Sequence, residues 1–241
     1  MKKYLLALLL VLPSIAFSSN LDNFYITAKG GISNTSNTGT ANYTQYDGGF
    51  IILQNEDLGA GTAFGFSVGK YLTDSFRFEL EAIKRTGYEY DALYTDFPRL
   101  ADKAKIQTEA LFINGFYDFQ PFTIGNTAIT PYLGGGVSIS RNKMETTNQH
   151  LDGLPTSATL GIQPTIDGNT INKFAYKLSV GTLVSLTEQL SLDVNYQYVN
   201  LGEFKGGVKA YNDGVYQGDN LGAVNGDIKT QELMVGLQYK F

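Results

Sequence analysis

One histidine and no cysteine in 241 residues restrict what this chain can do chemically. Without cysteine there is no thiolate metal site, no disulfide framework and no lipidated cysteine, and a single imidazole cannot build a His-rich metal centre. His150 follows Asn148 and Gln149, with Asp152 and Ser157 close behind. A base, an orienting carboxylate and a hydroxyl are the parts of a nucleophilic hydrolase. Here they fall in a Gly/Thr-rich segment with no rigid framing, so His150 reads as a solvated loop residue and the chain as no enzyme. Gly59-Ala60-Gly61 with Gly65 has the wrong spacing for a dinucleotide turn. Gly134-Gly135-Gly136 lies mid-strand, where close packing or a bend explains it. Asp213-Gly214 to Asp219-Asn220 lacks the ordered acids and terminal Glu of a calcium loop. No cofactor and no metal are expected.

The charges carry a different signal, because they fall on every second position. Arg77, Glu79 and Glu81 alternate with Phe76, Phe78, Leu80 and Ala82. A helix would scatter these charges around its cylinder, whereas a strand points them all one way. The same phase gathers Lys29, Arg77, Glu79, Glu81, Lys177, Asp193, Glu232 and Lys240 as candidate interior charges. Eight strands enclose a space that side chains roughly fill. These groups must therefore pair and hydrogen-bond, since an isolated buried charge is very costly. A salt-bridged plug that sets register is favoured over an ion path, and the pairing itself is not deducible from sequence.

Eight segments have the period-two pattern that positions such charges. They begin at Phe24 to Ser33, Thr62 to Tyr71, Phe76 to Arg85 and, less cleanly because Phe112 breaks the polarity, Ile106 to Tyr117. They continue at Leu133 to Ser140, Phe174 to Gly181 and Leu190 to Tyr198. The last ends the chain, with Leu233, Val235, Leu237, Tyr239 and Phe241 alternating with Glu232, Met234, Gly236, Gln238 and Lys240. Short connections (Leu72 to Ser75, Ser185 to Gln189 and a longer one around Asp118 to Asn126) alternate with long ones. The long ones run about Asn34 to Gly61, Tyr88 to Lys105, Asn142 to Thr170 and Leu201 to Asn225. One strand face is rich in Phe, Leu, Val and Tyr, the other in Gly, Ser and charges, which is the inverted arrangement a bilayer requires. The expected fold is all-β: an antiparallel up-and-down transmembrane barrel of eight strands with long outer loops and short periplasmic turns.

The N-terminus and composition agree with that address. Lys2 and Lys3 precede an apolar run from Leu5 to Leu12, Pro13 breaks it, and Ala16-Phe17-Ser18 supplies small residues for cleavage. Residues 1–18 are expected to be a removed signal peptide and 19–241 the barrel domain. The apolar run is too short for a spanning helix of about 20 residues. Fifteen Phe, 16 Tyr, 27 Gly and only 17% charged residues fit an exported barrel better than an exported soluble enzyme. Losing the two lysines takes the formal charge from −5 to −7, which argues against nucleic acid as a partner. The long loops hold the aromatics Tyr43, Tyr46 and Phe50, then Tyr88, Tyr90, Tyr94 and Phe97, then Tyr211 and Tyr216, as candidate ligand contacts. Phe50-Ile51-Ile52-Leu53 is either an apolar binding patch or, slightly favoured, a covered hairpin.

Three segments carry a family resemblance: Asp74-Ser75-Phe76-Arg77-Phe78-Glu79-Leu80-Glu81, Pro131-Tyr132-Leu133-Gly134-Gly135-Gly136-Val137 and Gly236-Leu237-Gln238-Tyr239-Lys240-Phe241. Together with the leader they make the chain similar to the small eight-stranded outer-membrane barrels, the OmpA transmembrane domain, OmpX, NspA, opacity-protein and surface-antigen group. The resemblance implies an assembly signal at Gly236, Tyr239 and Phe241, read by the barrel-assembly machinery. It also implies contact with outer-membrane lipid and lipopolysaccharide, whereas the contrast between sizeable, aromatic-bearing outer loops and a small, charged lumen points to a surface antigen or adhesin with a host-surface ligand. A narrow porin is the alternative, and a lipid A-modifying enzyme a more distant one, because fold alone does not set activity.

Overall fold

The computed structural model describes residues 22–36, 40–44, 47–48, 50–54 and 57–241, with the backbone alone at 40–44 and 50–54. Residues 1–18, expected to be a signal peptide, and Tyr46 lie outside the described residues, as do the side chains of Tyr43 and Phe50. Eight strands form the barrel: β1 (Phe24–Thr35), β2 (Ala60–Tyr71), β3 (Phe76–Tyr94), β4 (Leu100–Asp118), β5 (Thr127–Met144), β6 (Asn169–Ser185), β7 (Leu190–Lys205) and β8 (Asn225–Lys240). Each pairs antiparallel with its sequence neighbour. The seam closes between β1 and β8 from Tyr25 opposite Lys240 to Thr35 opposite Thr230. Beyond it the Phe241 N–H donates to the Phe24 carbonyl at 3.0 Å, so the last residue is stitched into the seam. Closure leaves no edge strand in lipid.

The outward face is apolar and exposed, with Phe64, Phe66, Phe78, Leu80, Ile113, Val137, Leu178, Val235 and Leu237 among its members. The charged and small residues point inward. Turns of a few residues at 72–75 and 186–189 mark one end. Outer-membrane barrels place such turns in the periplasm and long connections outside, which orients this one.

Strands β3 and β4 have 19 residues each. At about 3.3 Å per residue that is far longer than the bilayer core needs, so the hairpin rises well above the membrane. The second outer connection is therefore only 95–99, not the long loop expected from Tyr88 to Lys105. A bulge between Arg85 and Tyr88, where Gly87 takes φ +95°, hides this from a parity count. Inward positions are odd up to Arg85 and even from Tyr88 on. Period two survives, but its phase slips by one.

The other outer connections are built as well. Strand Thr147–Leu151 pairs with the top of β4, from Leu100 to Lys103, and with Pro164–Ile166. Pro164–Ile166 pairs in turn with Lys209–Asn212, which forms a hairpin with Val215–Asp219. Asp213 and Gly214, both at positive φ (48° and 80°), make its tight turn. Loops three and four are thus one β-sheet continuing the barrel wall, where the sequence reading expects a Gly/Thr-rich loop without framing. Across the barrel, the backbone of Thr40–Thr44 pairs with Phe50–Gln54, which joins β3 at Leu93 and Tyr94. Phe50 to Leu53 therefore lie on a hairpin.

Candidate functional site

Seven of the eight expected interior charges are buried in the lumen. Glu81, fully inaccessible, sits at their centre, its Oε1 2.8 Å from Lys29 Nζ and its Oε2 paired with Lys177. Lys29 also lies 3.5 Å from Glu79, and Asn114 Nδ2 donates to both glutamates. Glycines make room for these long side chains. Lys29 lies between Gly65 and Gly236 on the neighbouring strands, and a Cβ on Gly236 would come 2.8 Å from that of Lys29. Gly136 stands opposite Lys177. Phe112, the residue that spoils the polarity of β4, faces inward with the Lys177 ammonium 5.0 Å over its ring. This cation–π contact gives an inward aromatic a reason.

Toward the periplasm, Arg77 Nε donates to Asp118 at 3.0 and 3.1 Å. Its guanidinium stacks on Phe116 and Tyr132, 4.2 and 4.6 Å from the ring centres. Asp193 takes its close hydrogen bond from Tyr132, at 2.6 Å. Lys240 does not join the network: it is half-buried at the periplasmic mouth, with Nζ 4.8 Å over the Tyr71 ring. Toward the outside, Arg85 and Glu232 form a two-pronged, fully buried pair at 2.6 and 3.1 Å. Glu232 also accepts from Ser33, Thr230 and Gln197. Arg85 and Asp118 are missing from the sequence list. Arg85 was within reach by extending the Arg77-Glu79-Glu81 parity two steps further, and Asp118 by extending the Thr108-Ala110-Asn114 face of β4.

Above the charges lies an apolar layer, with Tyr90, Ile106, Met144, Leu201, Phe204, Val224 and Ile228 in one buried cluster. Tyr88, Tyr90 and Tyr94 belong to it. They are 0, 1 and 5% exposed, so they are not loop aromatics awaiting a ligand. The bulge at Gly87 turns them inward, and the extended strands carry them inside the barrel's outer half. Tyr88 bonds Ser33 at 2.6 Å. Tyr94 donates to Asp102 and receives from Gln149.

Of the loop aromatics, Tyr216 is exposed and Tyr211 half-buried, their rings 5.8 Å apart. Phe97, in the second outer connection, is exposed, and around the sheet of loops three and four stand apolar side chains that the sequence reading did not single out: Leu154, Leu160, Ile162, Val215 and Leu221. Hydrogen bonds hold this surface in place. Gln163 N–H donates to Asp213 at 2.9 Å, Gln163 Nε2 to Gln149 O at 3.0 Å, and Lys209 N–H to Asp167 at 2.8 Å. Arg99 grips both oxygens of Asp152 and holds that carboxyl below its ordinary range. The parts of a hydrolase are not assembled, because Asp152 serves Arg99 while His150 Nδ1 faces the Asn148 carbonyl at 3.1 Å. No cluster of possible metal ligands occurs among the described residues.

A closed eight-stranded barrel, apolar outside and filled inside, is the architecture of a small outer-membrane barrel protein. The chain belongs to the outer membrane protein beta-barrel domain family, which matches residues 4–241. It is similar to the outer membrane protein PagN of Salmonella typhimurium, 26% identical over 96% of this chain and 95% of that one. It is also similar to a Rickettsia conorii protein carrying the provisional name of an adhesin, 24% identical over 78% of this chain and 71% of that one. Among solved structures, OprG from Pseudomonas aeruginosa superposes with a TM-score of 0.55 at 16% identity, covering 92% of this chain and 98% of that one. Neisserial surface protein A gives 0.53 at 15%, covering 92% and 100%; these likenesses concern the fold. The family and its relatives place the chain in the bacterial outer membrane.

Proposed function

We propose that the protein is a surface adhesin, a plugged barrel that holds a preformed binding face above the outer membrane. The observation that carries this reading is the sheet shared by loops three and four, which fixes Leu154, Leu160, Ile162, Val215, Tyr216 and Leu221 in an exposed position. Exposed apolar side chains on an ordered scaffold mark contact surfaces, and a rigid scaffold reduces the entropy lost on binding. The provisional adhesin name of the Rickettsia relative supports the same reading. The alternative of a narrow porin is disfavoured by the lumen, where a hydrated ion would have to pass both the charged tier and the apolar layer above it.

The test is expression in a non-adherent bacterium, followed by binding to cultured host cells. Wild type should bind above an empty vector, and Leu160→Ser with Tyr216→Ala should lower binding several-fold at equal surface level. Grafting residues 145–168 and 206–224 together onto an inert barrel should transfer binding. Either graft alone should not, because the two loops share one sheet. Binding equal to the empty vector would overturn the proposal.

A further inference from the structure

A polar cup lies in the outer mouth of the barrel, above the apolar layer and on the inner side of the sheet of loops three and four. Its volume is about 210 Å³, room for about seven waters at ~30 Å³ each. Strand register builds it. Asp102 stands opposite Gln149, Ile166 opposite both Thr147 and Ala210, and Pro164 opposite Asn212. Because every second residue shares a face, these side chains converge from three loop strands and the top of β4. Asn220, just past strand Val215–Asp219, joins them. Asp102, Thr147, Ala210 and Asn220 are buried at the floor, whereas Gln149, Pro164, Ile166 and Asn212 are half-buried at the rim.

The polar groups are held in place by the protein itself. The buried Tyr94 hydroxyl donates to both Asp102 oxygens at 3.2 Å and receives Gln149 Nε2 at 3.0 Å. Gln163 Nε2 and the Thr156 hydroxyl donate to the Gln149 carbonyl at 3.0 and 3.3 Å, which fixes its backbone. Amides and hydroxyls offer donors and acceptors together, and a carboxylate offers acceptors alone. Pro164, Ile166 and Ala210 set an apolar patch beside them. Among the described residues lining the cup there is one acidic side chain, Asp102, and no basic one.

We propose that the cup binds one neutral pyranose unit of a carbohydrate. A pyranose carries hydroxyls around its edge and C–H groups on its faces, which match the polar groups and the apolar patch. The Asp102 carboxylate accepts from two neighbouring hydroxyls, the Asn212 and Asn220 amides bond others, and a C–H face lies on Ile166. Tyr94 is a positioning residue that aims the acid. An acidic sugar meets the carboxylate as a like charge and is rejected. The volume takes one ring, so the next sugar of a chain stays outside the rim. The seat shares no residue with the exposed apolar face of the adhesin reading, and does not depend on it.

Saturation-transfer NMR of the full-length protein in lipid nanodiscs tests this. The probes are the methyl glycosides of glucose, galactose, mannose and N-acetylglucosamine, with that of glucuronic acid as the acidic counterpart. At least one neutral glycoside should bind with a dissociation constant on the order of 1 mM or tighter, and the glucuronide about tenfold more weakly or worse. Asp102→Asn, which keeps the shape and removes the charge, should weaken the best probe about tenfold. Ala210→Leu, which fills the cup and alters no polar group, should abolish binding. Asn212→Ala, at the half-buried rim, should weaken it several-fold and leave the fold intact. Lys143→Gln with Glu145→Gln, exposed on the outside of the wall, should change nothing. The same sugar linked to albumin separates a chain-end ligand, which binds in both forms, from a free solute, which binds only as the small glycoside. No binding by any neutral glycoside, equal binding of the glucuronide, unchanged binding in any of the three cup variants, or equal weakening by the wall pair would each overturn the proposal.

Discussion

Removing Arg85 tests whether the lumen is held by paired charge. Arg85 and Glu232 are both fully buried and joined by two hydrogen bonds. Arg85→Met keeps an unbranched side chain in place and leaves Glu232 with Ser33, Thr230 and Gln197 as neutral donors. Stripping one partner from a buried ion pair costs about 3–5 kcal/mol. Three remaining donors to the stranded carboxylate put the expected value near the lower end, about 3 kcal/mol. Adding Glu232→Gln removes the stranded charge while keeping an oxygen for Ser33 and Thr230, and should recover about 2 kcal/mol of that loss. The assay is equilibrium unfolding in lipid vesicles across urea, followed by far-UV circular dichroism and by tyrosine emission, since the chain has 16 Tyr and no Trp. A single variant within about 1 kcal/mol of wild type, or a double variant no more stable than the single, would refute the claim that pairing stabilises this lumen.

Deleting Phe241 removes the seam bond to Phe24 and the ring packed 5.3 Å from Tyr239; the folded, heat-modifiable species in outer-membrane fractions should fall several-fold, and normal assembly would contradict the role given to the last residue. Gly87→Ala forces a side chain onto φ +95° and brings its Cβ to 3.2 Å from the Gly61 backbone. A loss of about 1–2 kcal/mol is expected in the same urea titration, and no loss would show that the bulge relaxes freely. Asp152 has its carboxyl held low by Arg99, so the tie is intact above the unfolded carboxylate range of about 4 and is lost as pH falls through the depressed value. Amide exchange at 147–155 should speed up on acidification beyond the intrinsic pH effect, Asp152→Asn should reproduce this at pH 7, and the global melting temperature should hold because the pair is exposed. Protection unchanged in Asp152→Asn would remove the tie from the account.

The barrel itself was open to reading because alternation is local. Phe76 to Arg85 or Leu190 to Tyr198 declares its two faces without any knowledge of a partner, and eight such segments with alternating connections leave few other architectures. The inward phase of Lys29, Glu79, Glu81, Lys177 and Glu232 follows from the same parity. Parity fails where the backbone departs from it. One positive-φ glycine at position 87 moves Tyr88, Tyr90 and Tyr94 from apparent loop contacts to the inside of the barrel. Phe112 looked like an error in β4 because its reason, the Lys177 ammonium, lies on a strand far away in sequence.

The amino-acid sequence alone determined the address, the strand count and the inward and outward phases, since these depend on side-chain type at fixed spacing along one strand. Tertiary structure decided what no single strand contains: that Arg85 answers Glu232 across 147 positions of chain, that an apolar layer covers the charged tier, and that loops three and four share a sheet. Each of these depends on register between strands and on the volume left when eight of them close. Register and volume are properties of the assembled barrel.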